Sequence, residues 1–389
     1  MISFVWSGKQ PFLAGRGGSE NYTAGQIREL KRRGIPTRVL TLGHGEQDGR
    51  GDFPDIQFKA LESKEELSGL DDTLVFVTYP LDVPTKHPSY AILHCPKDRL
   101  YPALDMNAIP GKYIITPSRF AAQSWGRTLH VRPSRIPTAY PFAETCFSKV
   151  ERPAKPQNSK TRILFAGRLL PDKGIYTLLA AMHMDSWKNM GDVELTVTDA
   201  ARDTDDGQVI YELLKAHPQV NVIPSRKSPQ QMAELMAEHD IVVMPSTNTF
   251  WQEIFGIVSV EAQHAGCRVV ASNGGGIPET DCGGLLLVKP DDPSALASGV
   301  AKAGKLGPLT KAERAFASTK FTVQSSVDSL LTIMAQHKLQ DEQRKPLLTK
   351  QGTLMRKQLD AALGNMRQLS LGITREQELS YRQARITNR

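Results

Sequence analysis

Apolar positions along this 389-residue chain fall into two kinds of run. Short β-branched stretches alternate with longer segments whose apolar residues recur every three or four positions. That alternation is the pattern of α/β folds built on parallel sheets. It predicts strands at residues 2–6, 37–42, 74–78, 91–93, 113–116 and 135–137, with a helix over 20–33 that Gly34 and Pro36 end. A polar, Pro-containing stretch at 150–160 breaks the pattern and reads as a linker. A second set follows, with strands at 162–166, 193–198, 220–223, 241–244, 268–271 and 284–288. Its helices are expected at 174–184, 208–216, 229–238, 256–265, 293–305 and 311–319, and one at 323–337 closes the compact part. The division is therefore 1–150, 151–338 and a basic helical extension, 339–389, in which Leu354, Met355, Leu359, Leu363, Met366 and Leu369 form an apolar stripe. Two α/β halves on one linker predict a cleft, because ligands of open parallel sheets sit beyond the carboxyl ends of the strands.

Composition narrows the class. With 40% hydrophobic and 23% charged residues, and no apolar run of membrane-spanning length, the chain reads as a soluble globular protein, and its N-terminus lacks the pattern of a signal peptide. The expected location is the cytoplasm. Four widely spaced cysteines match neither a zinc site nor a redox pair, so no metal is expected. The net charge of +7 first suggests an anionic partner, but residues 341–389 hold ten Lys/Arg against five Asp/Glu. The extension thus carries +5 and the body only +2, which removes the argument for nucleic acid. The extension packs on the body or on a second copy, as in a homodimer, or else makes peripheral membrane contact.

The most informative chemistry lies in 245–279. The strand at 241–244 runs into a polar loop and then Glu253-Ile254-Phe255-Gly256-Ile257-Val258-Ser259-Val260-Glu261. A helix beginning near Gly256 would present its free amides and positive end to a phosphate, with Glu253 just outside that end and Glu261 about one turn inside. A ligand with a diphosphate centre and hydroxyls at each end, such as a nucleoside diphosphate sugar, suits two carboxylates so placed. Taken alone, the same carboxylates read more readily as offsetting a helix dipole.

The surrounding residues decide. Glu253 and Glu261 with Phe255-Gly256 between them, then Ala265-Gly266-Cys267-Arg268-Val269-Val270-Ala271-Ser272, Gly274-Gly275-Gly276-Ile277-Pro278-Glu279 and Gly283-Gly284-Leu285, resemble the donor-binding half of the family 4 retaining glycosyltransferases of GT-B fold. Gly167-Arg168-Leu169 and Lys173-Gly174 are similar to a second motif of that family, and Gly17-Gly18-Ser19-Glu20 to its glycine loop. The resemblance covers about residues 1–338. It implies two Rossmann-like α/β/α domains facing across a cleft, the acceptor on the N-terminal side, and a UDP- or GDP-type sugar donor as substrate with no cofactor. It implies catalytic roles for His94, Arg168, Lys173 and Glu253, and donor binding by Gly17, Gly18, Phe255, Gly256, Ile257 and Glu261. In residue terms, Arg168 and Lys173 would neutralise a departing diphosphate, though each alone also reads as a solvated loop cation. His94 ends an apolar strand, which fits a cleft residue or a packed structural histidine. Glu279 fits a donor contact or a helix-start carboxylate.

The sequence departs from the family at Tyr140-Pro141-Phe142, Thr198-Asp199-Ala200 and Ser225-Arg226, which leaves the nucleotide base unread. The expected activity is sugar transfer with retention to an acceptor hydroxyl, on a saccharide, a lipid-linked carrier or a small molecule. The alternative is a non-catalytic subunit that binds a nucleotide sugar on the same fold.

Overall fold

The computed structural model describes residues 1–15, 17–95, 104–154, 160–249 and 252–344. The apolar stripe expected at 354–369 lies outside the described residues.

The N-terminal half is a six-stranded parallel sheet of β1 (Ile2–Trp6), β2 (Thr37–Leu42), β3 (Phe58–Leu61), β4 (Thr73–Val77), β5 (Ser89–Ile92) and β6 (Lys112–Ile115), ordered β3-β2-β1-β4-β5-β6. The second half repeats the arrangement with β7 (Thr161–Phe165), β8 (Val193–Thr198), β9 (Val220–Ile223), β10 (Ile241–Met244), β11 (Arg268–Ser272) and β12 (Leu285–Val288), ordered β12-β11-β10-β7-β8-β9. Relabelled from its own first strand, the second sheet has the same order as the first. Each has its topological switch point between its first and fourth strands, β1/β4 and β7/β10.

The strands form where the chain is apolar on both faces. All five residues of β1 and all four of β10 are buried, as the centre of a sheet covered on both sides requires. Register follows from the same burial: Ile2 lies opposite Thr37 and Thr73, and Ile241 opposite Arg268 and Ile163.

Two differences from the sequence expectation have local causes. Strand β3 was not expected, because its four residues include Lys59 at the sheet edge, where one face is open to water. Residues 135–137 do not form a strand. Pro133–Arg135 is a 3₁₀ turn, and the following chain touches β6 only through an isolated bridge from Thr116 to Thr138. Pro133 and Pro137 lack the N–H groups that a ladder needs. A helix at Arg119–Leu129, capped by the Ser118 hydroxyl, precedes that turn.

The linker is fixed to the second half by two arginines. Arg152 donates to the carbonyls of His239 (2.7 Å) and Ala265 (3.1 Å), and Arg314 donates to those of Phe147, Ser148 and Val150 (3.1, 3.1 and 2.6 Å). The helix Val323–Arg344 starts in the second half and returns to the first. Gln26 donates to the Ser326 hydroxyl at 3.1 Å, and Arg33 pairs with Asp328 at 2.6 Å. Met1–Leu331 is one compact unit.

Candidate active site

Three loops meet at the β7/β10 switch point. After β7 comes Gly167–Gly174; after β10 comes Pro245–Gly256; after β11 comes the Gly274–Gly276 turn. The first two are fastened together by the Thr247 N–H, which donates to the Asp172 carbonyl at 3.0 Å. Gly174 has φ +74°, and a Cβ there would overlap the Pro245 carbonyl oxygen, so only glycine allows this approach. The third loop closes as tightly: the Gly276 N–H donates to the Glu253 carbonyl at 2.7 Å, and a Cβ on Gly276 would overlap the Ile254 carbonyl oxygen.

This packing brings Lys173 and Glu253 together. The Lys173 ammonium donates to Glu253 Oε1, the Ser246 hydroxyl reaches the same oxygen at 3.4 Å, and Asp172 lies 3.9 Å from the ammonium. Both partners are mostly buried, with 15% and 19% of their side chains exposed. Arg168 differs: it is exposed and, among the described residues, makes no hydrogen bond or ion pair through its side chain. A guanidinium in that state is available for an anion.

The helix Ile257–His264 starts at Gly256, which has φ +91° and no side-chain cap. Its first turn therefore offers backbone amides and the positive end of the dipole. Gly17 is the cap of the helix Gly18–Arg32, and a Cβ on Gly18 would sit 3.9 Å from Ile257 Cγ2. The glycine loop of the first half and the helix start of the second thus lie side by side. Phe255 contributes only backbone here, because its buried ring packs in an aromatic cluster with Tyr140 (5.6 Å) and Phe321 (5.3 Å).

Glu261 lies one turn into the helix. Burial, reinforced by the charge of Glu144, pushes its carboxyl up to about 8. At neutral pH it is largely protonated and becomes an acceptor once donors arrive. His94 follows β5, with its ring edge-on to Tyr22 at 4.9 Å. Burial pushes the imidazole down to about 4, and its buried Nε2 has no hydrogen-bond partner among the described residues. A neutral imidazole with an unsatisfied nitrogen is poised to donate to or accept from a ligand hydroxyl.

Glu279 does something the sequence did not reveal. Its carboxylate accepts from the backbone N–H of Arg119 (2.9 Å) and Phe120 (2.7 Å) and from the Tyr140 hydroxyl (2.8 Å). It lies in the first turn of the short 3₁₀ helix Ile277–Thr280, as a helix-start carboxylate would, but its side chain accepts from the first amides of a helix of the opposite half. Beside it the Ser118 hydroxyl donates to the Ile254 carbonyl at 2.5 Å. These bonds tie the N-terminal half to the loop that carries Glu253. Arg119 and Glu279 lie 160 positions apart and Ser118 and Ile254 lie 136 apart, so no local spacing in the sequence points to either contact. Of the unusual segments, Tyr140 therefore has a clear role, and Asp199 accepts from the Ser225 N–H at 2.7 Å, joining the ends of β8 and β9.

The family profile "Glycosyl transferases group 1" matches residues 148–318, which include all three loops. The chain is 34% identical over 124 residues to the lipopolysaccharide 1,2-N-acetylglucosaminetransferase of Salmonella typhimurium, a match covering 31% of this chain and 32% of that protein. It thus aligns with about a third of the length of the curated relatives it matches. Two solved structures share the fold over nearly their whole length. The glycosyltransferase from Rickettsia africae has a TM-score of 0.67 at 18% identity, covering 85% of this chain and 97% of that one. Anabaena HepE in complex with UDP and glucose has a TM-score of 0.60 at 17% identity, covering 86% and 99%. The fold is GT-B, with two Rossmann-like halves. No described helix is long and apolar enough to cross a membrane.

Proposed function

We propose that the protein is a retaining glycosyltransferase of family 4 type, moving a sugar from a nucleoside diphosphate sugar to an acceptor hydroxyl. The observation that carries this reading is the convergence of Arg168, the Lys173–Glu253 pair and the uncapped start of the helix Ile257–His264 at one switch point. A cation without a partner among the described residues, a second cation and helix amides make a site for a diphosphate.

In this reading the bond between the sugar C1 and the diphosphate oxygen breaks as the acceptor oxygen bonds to C1 on the same face. The acceptor's proton passes to the leaving diphosphate oxygen. Arg168, Lys173 and the amides near Gly256 stabilise the charge that builds there. Glu253, oriented by Lys173, accepts hydrogen bonds from sugar hydroxyls, and Glu261 accepts from the ribose diol. His94, neutral and with Nε2 unsatisfied, orients the sugar from the opposite half. Gly17 and Gly18 let backbone approach the phosphates across the cleft, and closure of the two halves excludes water as a competing acceptor. The donor is a UDP- or GDP-type nucleotide sugar.

A panel of nucleotide sugars scored by thermal shift tests this reading. A true donor at 100 times its Kd adds about 2.7 kcal/mol of stability. The expected result is a shift with one nucleotide class that is lost in Arg168→Ala; no shift with any nucleotide sugar would overturn the assignment.

A further inference from the structure

The glycine loop that meets the helix start of the second half is held in place by another loop of its own half. Residues 8–15, between β1 and the helix Gly18–Arg32, are neither helix nor strand. Their support is the loop after β2, which emerges beside them because β1 and β2 are neighbours in the sheet. The two loops are joined along their length. His44 Nε2 donates to the Gly8 carbonyl at 2.9 Å, the Phe12 N–H donates to the Asp48 carbonyl at 3.1 Å, and the Ala14 N–H donates to Asp52 Oδ2 at 2.9 Å. The Phe12 ring is fully buried against Trp6 (4.9 Å, edge-on) and Phe53 (4.8 Å). Gly49 has φ +96°, and a Cβ there would overlap the Phe12 carbonyl oxygen, so the loops come this close only with glycine at that position.

The supporting loop is itself stiff. Asp48 is fully buried, and its carboxylate accepts from the Thr41 hydroxyl (2.9 Å), the Arg50 N–H (3.1 Å) and the Arg50 guanidinium (Nε and Nη2, each 3.0 Å). At its other end the glycine loop reaches the opposite half in two places. A Cβ on Gly15, where φ is +73°, would lie 3.1 Å from the Lys227 carbonyl oxygen past β9, and one on Gly18 would lie 3.9 Å from Ile257. The loop therefore runs from its support to the helix start whose amides the donor reading uses. A free loop would lose conformational entropy on settling over a diphosphate, and a loop already fixed loses little. We propose that Asp52 and Gly49 are positioning residues, which fix the glycine loop in its phosphate-facing conformation before the donor arrives. Neither lies in the motifs that carry the family resemblance, and Asp52 is 38 positions from the amide it holds. The inference rests on the reading of the glycine loop as part of a nucleotide-sugar site.

Amide hydrogen exchange of the full chain, with calorimetric titration of UDP and GDP, tests it. In the wild type the Phe12 and Ala14 amides are expected to exchange slowly before any nucleotide is added. Asp52→Ala should speed exchange at Ala14 tenfold or more and weaken binding of the preferred nucleotide fivefold or more. Because Asp52 is exposed, its unfolding midpoint should stay that of the wild type. Asp52→Asn keeps an oxygen that accepts from Ala14, and should restore both readouts to within twofold of the wild type. Gly49→Ala, which forces the loops apart, should weaken the nucleotide at least as much as Asp52→Ala. Nucleotide affinity unchanged in Asp52→Ala overturns the inference and leaves the transferase reading standing. A loss that Asp52→Asn does not recover, or rapid exchange of both amides in the free wild type, does the same. Wild type that binds neither UDP nor GDP overturns the transferase reading, and this inference with it.

Discussion

The Lys173 ammonium is held against the Glu253 carboxylate, although the two residues lie 80 positions apart. The contact exists because the loops after β7 and β10 leave neighbouring strands at the sheet's switch point, and because Gly174 lets them touch at Pro245. It places an ammonium and a carboxylate side by side, which the proposed function uses for phosphate and for sugar hydroxyls.

Removing one partner should therefore harm more than one function. Lys173→Met leaves Glu253 without its cation, and Glu253→Gln leaves Lys173 with only the more distant Asp172 carboxylate, 3.9 Å away. Each is expected to lower transfer by about 10² to 10³, the usual cost of deleting a group that stabilises transition-state charge. The double variant should lose less than the sum of the two, and a double-mutant cycle on turnover and on unfolding free energy measures that coupling. Strict additivity would mean that the pair does not act as a unit.

Arg168 is expected to separate activity from folding. Because it is exposed and without a partner among the described residues, Arg168→Ala should change unfolding free energy by no more than about 0.5 kcal/mol. Turnover should nevertheless fall by about 10² or more. Parallel urea unfolding and steady-state kinetics check both statements.

Glu279 should behave as a tie between halves. Glu279→Ala leaves the Ser118 cap in place but removes the acceptor of two first-turn amides of the helix Arg119–Leu129 and a partner of Tyr140, and should cost about 1 to 2 kcal/mol. Small-angle scattering of the variant should report a wider separation of the two halves. A donor contact would instead raise nucleotide Kd while leaving stability alone.

The raised carboxyl of Glu261 fixes a pH dependence. A carboxyl near 4.3 when unfolded and about 8 when folded holds its proton longer in the native state. Native stability therefore falls as pH rises from about 4.5 to 8, and the penalty is complete above that window. Glu261→Gln should cancel it, so that the variant gains on the wild type between pH 5 and pH 9 by roughly 1 to 3 kcal/mol. Nucleotide binding that uses the ionised form should also release a proton, seen as a heat that depends on the ionisation enthalpy of the buffer.

Much of the fold was legible because the central strands are apolar on both faces. Residues 2–6 and 241–244, fully buried at the sheet centres, form strands at the positions that pattern predicts. Edge strand β3 was not, since Lys59 and the open face dilute the signal, and residues 135–137 were expected as a strand although Pro137 has no N–H for a ladder and Pro133–Arg135 turns as a 3₁₀ helix. At the site, the motifs located Arg168, Lys173, Glu253 and Gly256, but not who holds whom. The Lys173–Glu253 contact and the cap from Glu279 to Phe120 depend on tertiary approach of distant loops, which no local spacing encodes.

The most direct test of the account is release of nucleoside diphosphate from a panel of UDP- and GDP-sugars, with a mixture of saccharide and small-molecule acceptors present. The account predicts release from at least one donor, a glycosylated product in equal amount, and loss of both in Glu253→Gln and Arg168→Ala. Folded wild-type protein that releases nothing from any donor, or releases it equally well without Glu253 and Arg168, would contradict it.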